Sequence, residues 1–254
     1  MCSTGNRGAH YHHYSELISK FYCLVMFKNL ISRATTVLKP AVPKASDTLI
    51  SFTRPNELSK LLTRSDAELG GFSSVNLDVE GNVGHFHGVL NLDPPPNRPD
   101  VLYSGYAMFR TKDQPTGFFN SPTFWDWDNY QNLVLKVKGD HRKYFVNIQA
   151  QTAVATDVYQ HRLFLNTPGK WETVTIPIDD FVLTNRGVIQ HQSSLDRTKV
   201  KTVGIGLLDN QFGPYSLFID SISVERGGQE DIDKRKKKEE EAEDEFDAFQ
   251  GSRF

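Results

Sequence analysis

The sequence predicts an all-β fold in which antiparallel sheets pack face to face as a β-sandwich or jelly roll. Three observations carry that prediction. From Phe72 onward, apolar residues recur with period two instead of helical spacing. The alternating runs number roughly eight to ten, with little helix between them, which leaves no room for the crossover helices of a parallel sheet. The chain also carries 17 Phe and 3 Trp, side chains that supply much of the buried area in sheet proteins. No internal repeat of fixed period is visible.

In chain order, the first element is helical. From Met26 to Lys39, the residues Phe27, Leu30, Ile31, Ala34 and Leu38 keep helical spacing, Lys28, Arg33 and Lys39 add positive charge, and no acid follows until Asp47. An amphipathic, basic, hydroxyl-containing and acid-poor stretch has the composition of a mitochondrial presequence. We therefore expect 1–46 to be a targeting segment with Met26 as the true initiator and cleavage between Pro40 and Phe52. Pro40 and Pro43 end the pattern. Residues 47–71 read as a linker with a short N-terminal helix, capped by Asn56, running through Leu58, Leu61 and Leu62, and stopped by Gly70 and Gly71.

The sandwich is expected over 72–226. Phe86, Gly88, Leu90 and Leu92 share one strand face, and Leu133, Leu135 and Val137 alternate with Val134, Lys136 and Lys138. Tyr144, Val146, Ile148 and Ala150 alternate with Phe145, Asn147, Gln149 and Gln151. Val174 with Ile176, and Val203 with Ile205 and Leu207, continue the pattern, and Tyr215 to Val224 is apolar on both faces apart from Asp220 and its serines. Gly139–Asp140 between two of these runs carries a hairpin signal. The tail, 227–254, sets a basic block (Lys234 to Lys238) before an acidic one (Glu239 to Glu245) and has few apolar residues to anchor it, the composition of a flexible or solvated helical terminus.

Bulk properties remove several function classes. A net charge of −2 excludes a globally basic nucleic-acid binder, although the termini differ in sign: 1–46 holds six Lys/Arg against Glu16, whereas 225–254 holds seven against eleven acids. No stretch approaches 18 apolar residues, so no transmembrane span is expected. Both cysteines, Cys2 and Cys23, precede the body, which favours a reducing compartment and leaves the body without a cysteine nucleophile.

The side-chain constellations favour packing over chemistry. His10, His12 and His13 have the look of a metal cluster but fall in the targeting segment. His85 and His87 project from the same strand face without an evident third ligand. Asp126 and Asp128, or Asp179 and Asp180, supply carboxylate pairs of the kind glycosidases use, but such pairs are common beside strand-end aromatics. Trp125, Trp127 and Tyr130 offer a sugar platform or a core, and packing is the preferred reading. Gly204-Ile205-Gly206 lies inside a strand pattern and opens no helix, so it is no dinucleotide fingerprint. We expect no catalytic residue, no metal site and no cofactor.

A series of ordered pieces carries a family resemblance. They are Ser65-Asp66, Gly70-Gly71-Phe72-Ser73-Ser74, Phe86-His87-Gly88, Gly105-Tyr106-Ala107, Tyr130-Gln131-Asn132-Leu133, and Lys138-Gly139-Asp140-His141-Arg142 with Tyr144 and Asn147-Ile148. Trp171-Glu172, Ile176-Pro177-Ile178, Phe181, Asn185-Arg186-Gly187, Gly204-Ile205-Gly206 and Gly213 to Asp220 follow. Together they resemble the complex I intermediate-associated protein 30 family, with His141 standing where the family commonly has glycine. The resemblance implies a galactose-binding-like jelly-roll without catalytic activity or cofactor. It implies a place on the matrix side of the mitochondrial inner membrane, peripheral and without a transmembrane span. The partners it implies are complex I subunits, assembly intermediates of the membrane arm and other assembly factors, among them an acyl-CoA dehydrogenase-like flavoprotein. The presequence-like start, read from charge and spacing alone, agrees with that location.

The expected function is a non-enzymatic assembly factor or chaperone for respiratory complex I; the alternative is a carbohydrate-binding β-sandwich module, which requires exposed Trp125, Trp127 and Trp171. The expected partner-binding loop runs from Thr184 to Gln192 and gathers Asn185, Arg186, Gln190, His191 and Gln192. Its simpler reading is a polar crossover fixed by Gly187.

Overall fold

The computed structural model describes residues 44–228, apart from 55, 97 and 99–103. The presequence-like segment up to 43, His10, His12 and His13 and the charge blocks of the tail lie outside the described residues. Thirteen strands and short 3-10 turns make up the described chain. They are β1 (Ser46–Ser51), β2 (Leu61–Ser65), β3 (Ser74–Glu80), β4 (Val83–Leu90) and β5 (Ala107–Thr111). After these come β6 (Asn132–Gly139), β7 (Tyr144–Ala150), β8 (Asp157–Arg162) and β9 (Glu172–Pro177). The last are β10 (Val182–Asn185), β11 (Val188–Ile189), β12 (Val200–Leu207) and β13 (Gly213–Glu225).

Two antiparallel sheets result. The first has the order β3-β4-β13-β6-β9, with β1 also pairing to β13; the second has the order β11-β10-β8-β7-β12-β5-β2. The facing sides hold the core, and period two predicted its members. Leu133, Leu135 and Val137 of β6, Tyr144, Val146 and Ile148 of β7, and Val203, Ile205 and Leu207 of β12 are all buried. β13 explains its own two-faced apolarity. Tyr215, Leu217 and Ile219 are buried, then the register against β6 shifts between Ile219 and Ser221, and burial resumes at Ile222 and Val224. One extra residue at this bulge inverts the phase, so the strand looks apolar on both faces although each half buries only one.

Two expectations are corrected. Gly139–Asp140 makes no hairpin: β6 lies in the first sheet and β7 in the second, so the segment is a corner crossing between sheets. Asp140 secures that corner, its carboxylate accepting from the Arg142 amide (2.9 Å), the Tyr144 hydroxyl (3.1 Å) and the Ser216 amide (2.8 Å). His141 meets no left-handed requirement, so glycine is not needed there. Secondly, 47–71 is no linker. β1 pairs with β13 and β2 with β5, so this stretch contributes a strand to each sheet. The expected helix shrinks to two four-residue 3-10 turns, Glu57–Lys60 and Asp66–Leu69. Asn56 is left-handed (φ 61°) and its side chain caps nothing, while Leu61 is drawn into strand pairing where its side chain is buried. Tertiary pairing outweighs the weak local helix preference here. No helix among the described residues is long and apolar enough to cross a membrane.

Candidate partner-binding groove

Most of the motif residues hold the frame. Asp66 is buried and its carboxylate accepts four hydrogen bonds: from the Ser73 amide (2.9 Å) and hydroxyl (2.8 Å), the Ser104 hydroxyl (2.7 Å) and the Gly105 amide (2.6 Å). One carboxylate thus ties together motif pieces that lie far apart in sequence, and four donors offset its desolvation. Arg142 does the same at the sheet corner. It forms a bidentate pair with Asp209 (2.7 and 2.9 Å) and donates to the carbonyls of Gln211 (2.6 Å), Gly213 (3.2 Å) and Pro214 (3.0 Å). Burial pushes the Tyr144 phenol far above its usual range, with the Asp140 charge adding to the effect, so this hydroxyl stays a structural donor.

The constellations that hinted at chemistry resolve into packing. Trp127 is 1% exposed, and Trp125 stacks on it at 6.0 Å between centroids and packs on the core. Trp171 is exposed, but the Lys138 ammonium sits 5.6 Å from its ring and 4.3 Å from that of Phe218. Each histidine of β4 already has a partner. His85 bridges Glu80 (2.7 Å) and the Ser216 hydroxyl (2.8 Å), and His87 meets Asp78 (2.9 Å). Asp179 is bound by the guanidinium of buried Arg197, which also donates to the Tyr130 carbonyl (2.7 Å), and Asp126 accepts from the Asp128 amide (3.0 Å). Among the described residues, no three His, Cys, Asp or Glu side chains group as a metal site.

The expected loop is a hairpin on the edge of the second sheet. Asn185 pairs with Val188, leaving Arg186 (φ 49°) and Gly187 (φ 80°) as a two-residue turn with both residues left-handed. Gln192 folds back on β10, where it accepts from the Leu183 amide (2.8 Å) and donates to the Leu183 carbonyl (3.1 Å). Asn185 donates to Thr156 and Asp157, and Gln190 to the Val188 carbonyl. Three of the five residues thus shape the hairpin, whereas Arg186 and His191 are exposed without such bonds among the described residues.

Beside this hairpin, the outer face of the second sheet forms a groove of about 730 Å³. Its floor holds Met108, Phe145 and Gly206, and its walls Phe164, Val182, Ile189 and Leu208. Gly206 keeps the floor low, because a Cβ there would lie 3.0 Å from the Asn147 side-chain nitrogen. A polar row crosses the floor: Thr184 donates to Gln160 (2.9 Å), and Gln160 to the Asn147 side-chain oxygen (2.9 Å). That row leaves the Asn147 amide nitrogen as a donor facing the groove. Arg162 and Arg186 stand at the rim with Asp180, and the Arg162 guanidinium lies 5.0 Å from the Phe164 ring. Sequence reasoning reached Arg186 and missed the rest, since the exposed residues of alternating strands read individually as ordinary surface. The available signal was β7's outward Phe145 beside outward Asn147.

Comparisons with known proteins place this architecture. The fold matches a family 11 carbohydrate-binding module of a Clostridium thermocellum cellulosomal cellulase with a TM-score of 0.51 at 15% identity, over 73% of this chain and 97% of that one. The same module in complex with a mixed-linked tetrasaccharide matches at 0.50 and 15%. At such identity the likeness is one of fold alone. Proteins called complex I intermediate-associated protein 30, mitochondrial, align far more closely in sequence. The one from Neurospora crassa is 36% identical over 197 residues, covering 68% of this chain and 70% of that protein. Those from Drosophila melanogaster and Mus musculus are 30% and 29% identical, covering 72% and 74% of this chain but 64% and 58% of their own lengths. The family profile of complex I intermediate-associated protein 30 itself matches residues 50–219, which reach from β1 into β13, and this chain belongs to that family.

Proposed function

We propose that this chain is a non-catalytic assembly factor for respiratory complex I, acting in mitochondria by binding partly built subunits and other assembly factors. The family match over residues 50–219 carries this reading, because it spans nearly the whole sandwich and not one motif. Among the described residues, His85, His87 and Asp179 are engaged in structural bonds. Residues 1–46 serve as the targeting segment, and 227–254 as a charged tail. The working location is the matrix side of the inner membrane, where the protein binds peripherally. Its partners there include an acyl-CoA dehydrogenase-like flavoprotein. The hairpin of Asn185, Arg186, Gln190, His191 and Gln192 presents part of the binding surface, with Arg186 and His191 as its contacting side chains.

Depletion followed by native-gel analysis of solubilised mitochondrial membranes tests this. Loss of mature complex I, with stalled membrane-arm intermediates and the other respiratory complexes intact, is the expected result. Normal complex I would refute it. Re-expression of the Arg186→Glu variant is expected to recover fewer assembly partners while the protein stays folded. A carbohydrate-binding reading has the fold likeness in its favour, but burial of Trp127 and the engagement of Trp171 by Lys138 remove the platform it requires.

A further inference from the structure

We infer that the groove on the outer face of the second sheet is a docking site for an acidic, aromatic- or aliphatic-rich protein segment; this deepens the assembly-factor reading and rests on it. The groove crosses six strands, β5, β12, β7, β8, β10 and β11. At about 4.8 Å between neighbours it measures about 24 Å, the length of about seven extended residues. Its walls are apolar and exposed, formed by Phe164, Val182, Ile189 and Leu208, and its floor sets Met108 and Phe145 beside the polar row of Asn147, Gln160 and Thr184. Exposed apolar walls of this kind rimmed by charge are characteristic of partner recognition.

The rim states the chemistry of the occupant. Among the described residues neither Arg162 nor Arg186 has a carboxylate within ion-pair distance. Asp180, also at the rim, leaves a net positive edge. Two unpaired guanidinium groups flanking apolar walls favour carboxylates beside bulky apolar side chains. The Asn147 amide nitrogen, spared by the Gln160 contact, offers a donor to a backbone carbonyl lying over Gly206. A sugar fits less well, since no tryptophan lines the groove and most of its wall residues are aliphatic.

Selection of a phage-displayed random 12-residue library on the full-length protein tests the assignment, with the winning peptides synthesised and titrated by fluorescence anisotropy. The expected consensus combines Asp or Glu with Phe, Leu or Ile. The double variant Arg162→Glu, Arg186→Glu should weaken binding at least tenfold, and Phe164→Ser severalfold, with thermal unfolding unchanged because all three side chains are exposed. A basic consensus, no enrichment, or binding indifferent to these variants overturns the inference. So does binding of a mixed-linked tetrasaccharide that the same variants abolish, which would make the groove a glycan site. The two readings separate in mitochondria. Rescue of complex I by the double-arginine variant refutes the groove's role and leaves the assembly function standing. Normal complex I after depletion refutes the function whatever the peptides do.

Discussion

Truncating Arg142 to alanine should be among the most destabilising single changes in the sandwich. Its guanidinium side chain is 10% exposed and that of its partner Asp209 is 0% exposed. Removing the arginine strands a buried carboxylate, which retains only weaker bonds from the Gln211 amide (3.2 Å) and the Lys143 amide (3.4 Å). It also frees the carbonyls of Gln211, Gly213 and Pro214, which now hold the approach to β13 in place. Breaking a buried pair from one side costs about 3–5 kcal/mol. For a domain of this size, that lowers the melting temperature by about 10 °C. Lysine keeps the charge but not the fork, and Arg142→Lys should lose about 2 kcal/mol. Urea unfolding of the wild type, Arg142→Ala, Asp209→Ala and the double variant supplies the cycle. The expected double variant is much less destabilised than the summed singles, because no charge is then stranded. A loss below about 1 kcal/mol for Arg142→Ala, or strict additivity, would refute the claim that this pair locks the sheet corner.

Other outcomes follow from the same geometry. Oδ1 of Asp66 accepts from the Ser73 amide and Oδ2 from the other three donors, so Asp66→Asn sets a donor against at least one existing donor and should cost about 1–3 kcal/mol in urea unfolding. Gln192→Ala should cost only about 1–2 kcal/mol yet speed hydrogen exchange at the Leu183 amide, whose acceptor is the Gln192 side chain. Iodide should quench mainly Trp171, so that Trp171→Phe removes most of the quenchable emission, since Trp127 is sealed in the core and Trp125 is half-buried against it. Phe118 and Phe119 are 90% and 99% exposed, and replacing both with serine should change thermal stability by less than about 0.5 kcal/mol.

Much of the sandwich was legible because strand identity is a local property. Period-two burial follows from the backbone pleat, so Leu133, Leu135 and Val137, or Tyr144, Val146 and Ile148, announce their buried face in the sequence itself. Pairing is not local. Gly139–Asp140 carries the chemistry of a hairpin turn, yet the strands on either side enter different sheets, and no residue within the turn encodes that choice. The short stretch from Asn56 to Leu62 has the spacing of a weak helix, and only the backbone partners offered by β5 make Leu61 part of a strand. The motifs behaved likewise: Asp66 and Gly105 lie 39 residues apart and Arg142 and Gly213 71 apart, so their order was readable and their purpose was not. Alternation and composition determined the fold class and the core. The sheet order decided the groove, because Met108, Phe145, Val182 and Ile189 become one surface only when β5, β7, β10 and β11 are laid into the same sheet.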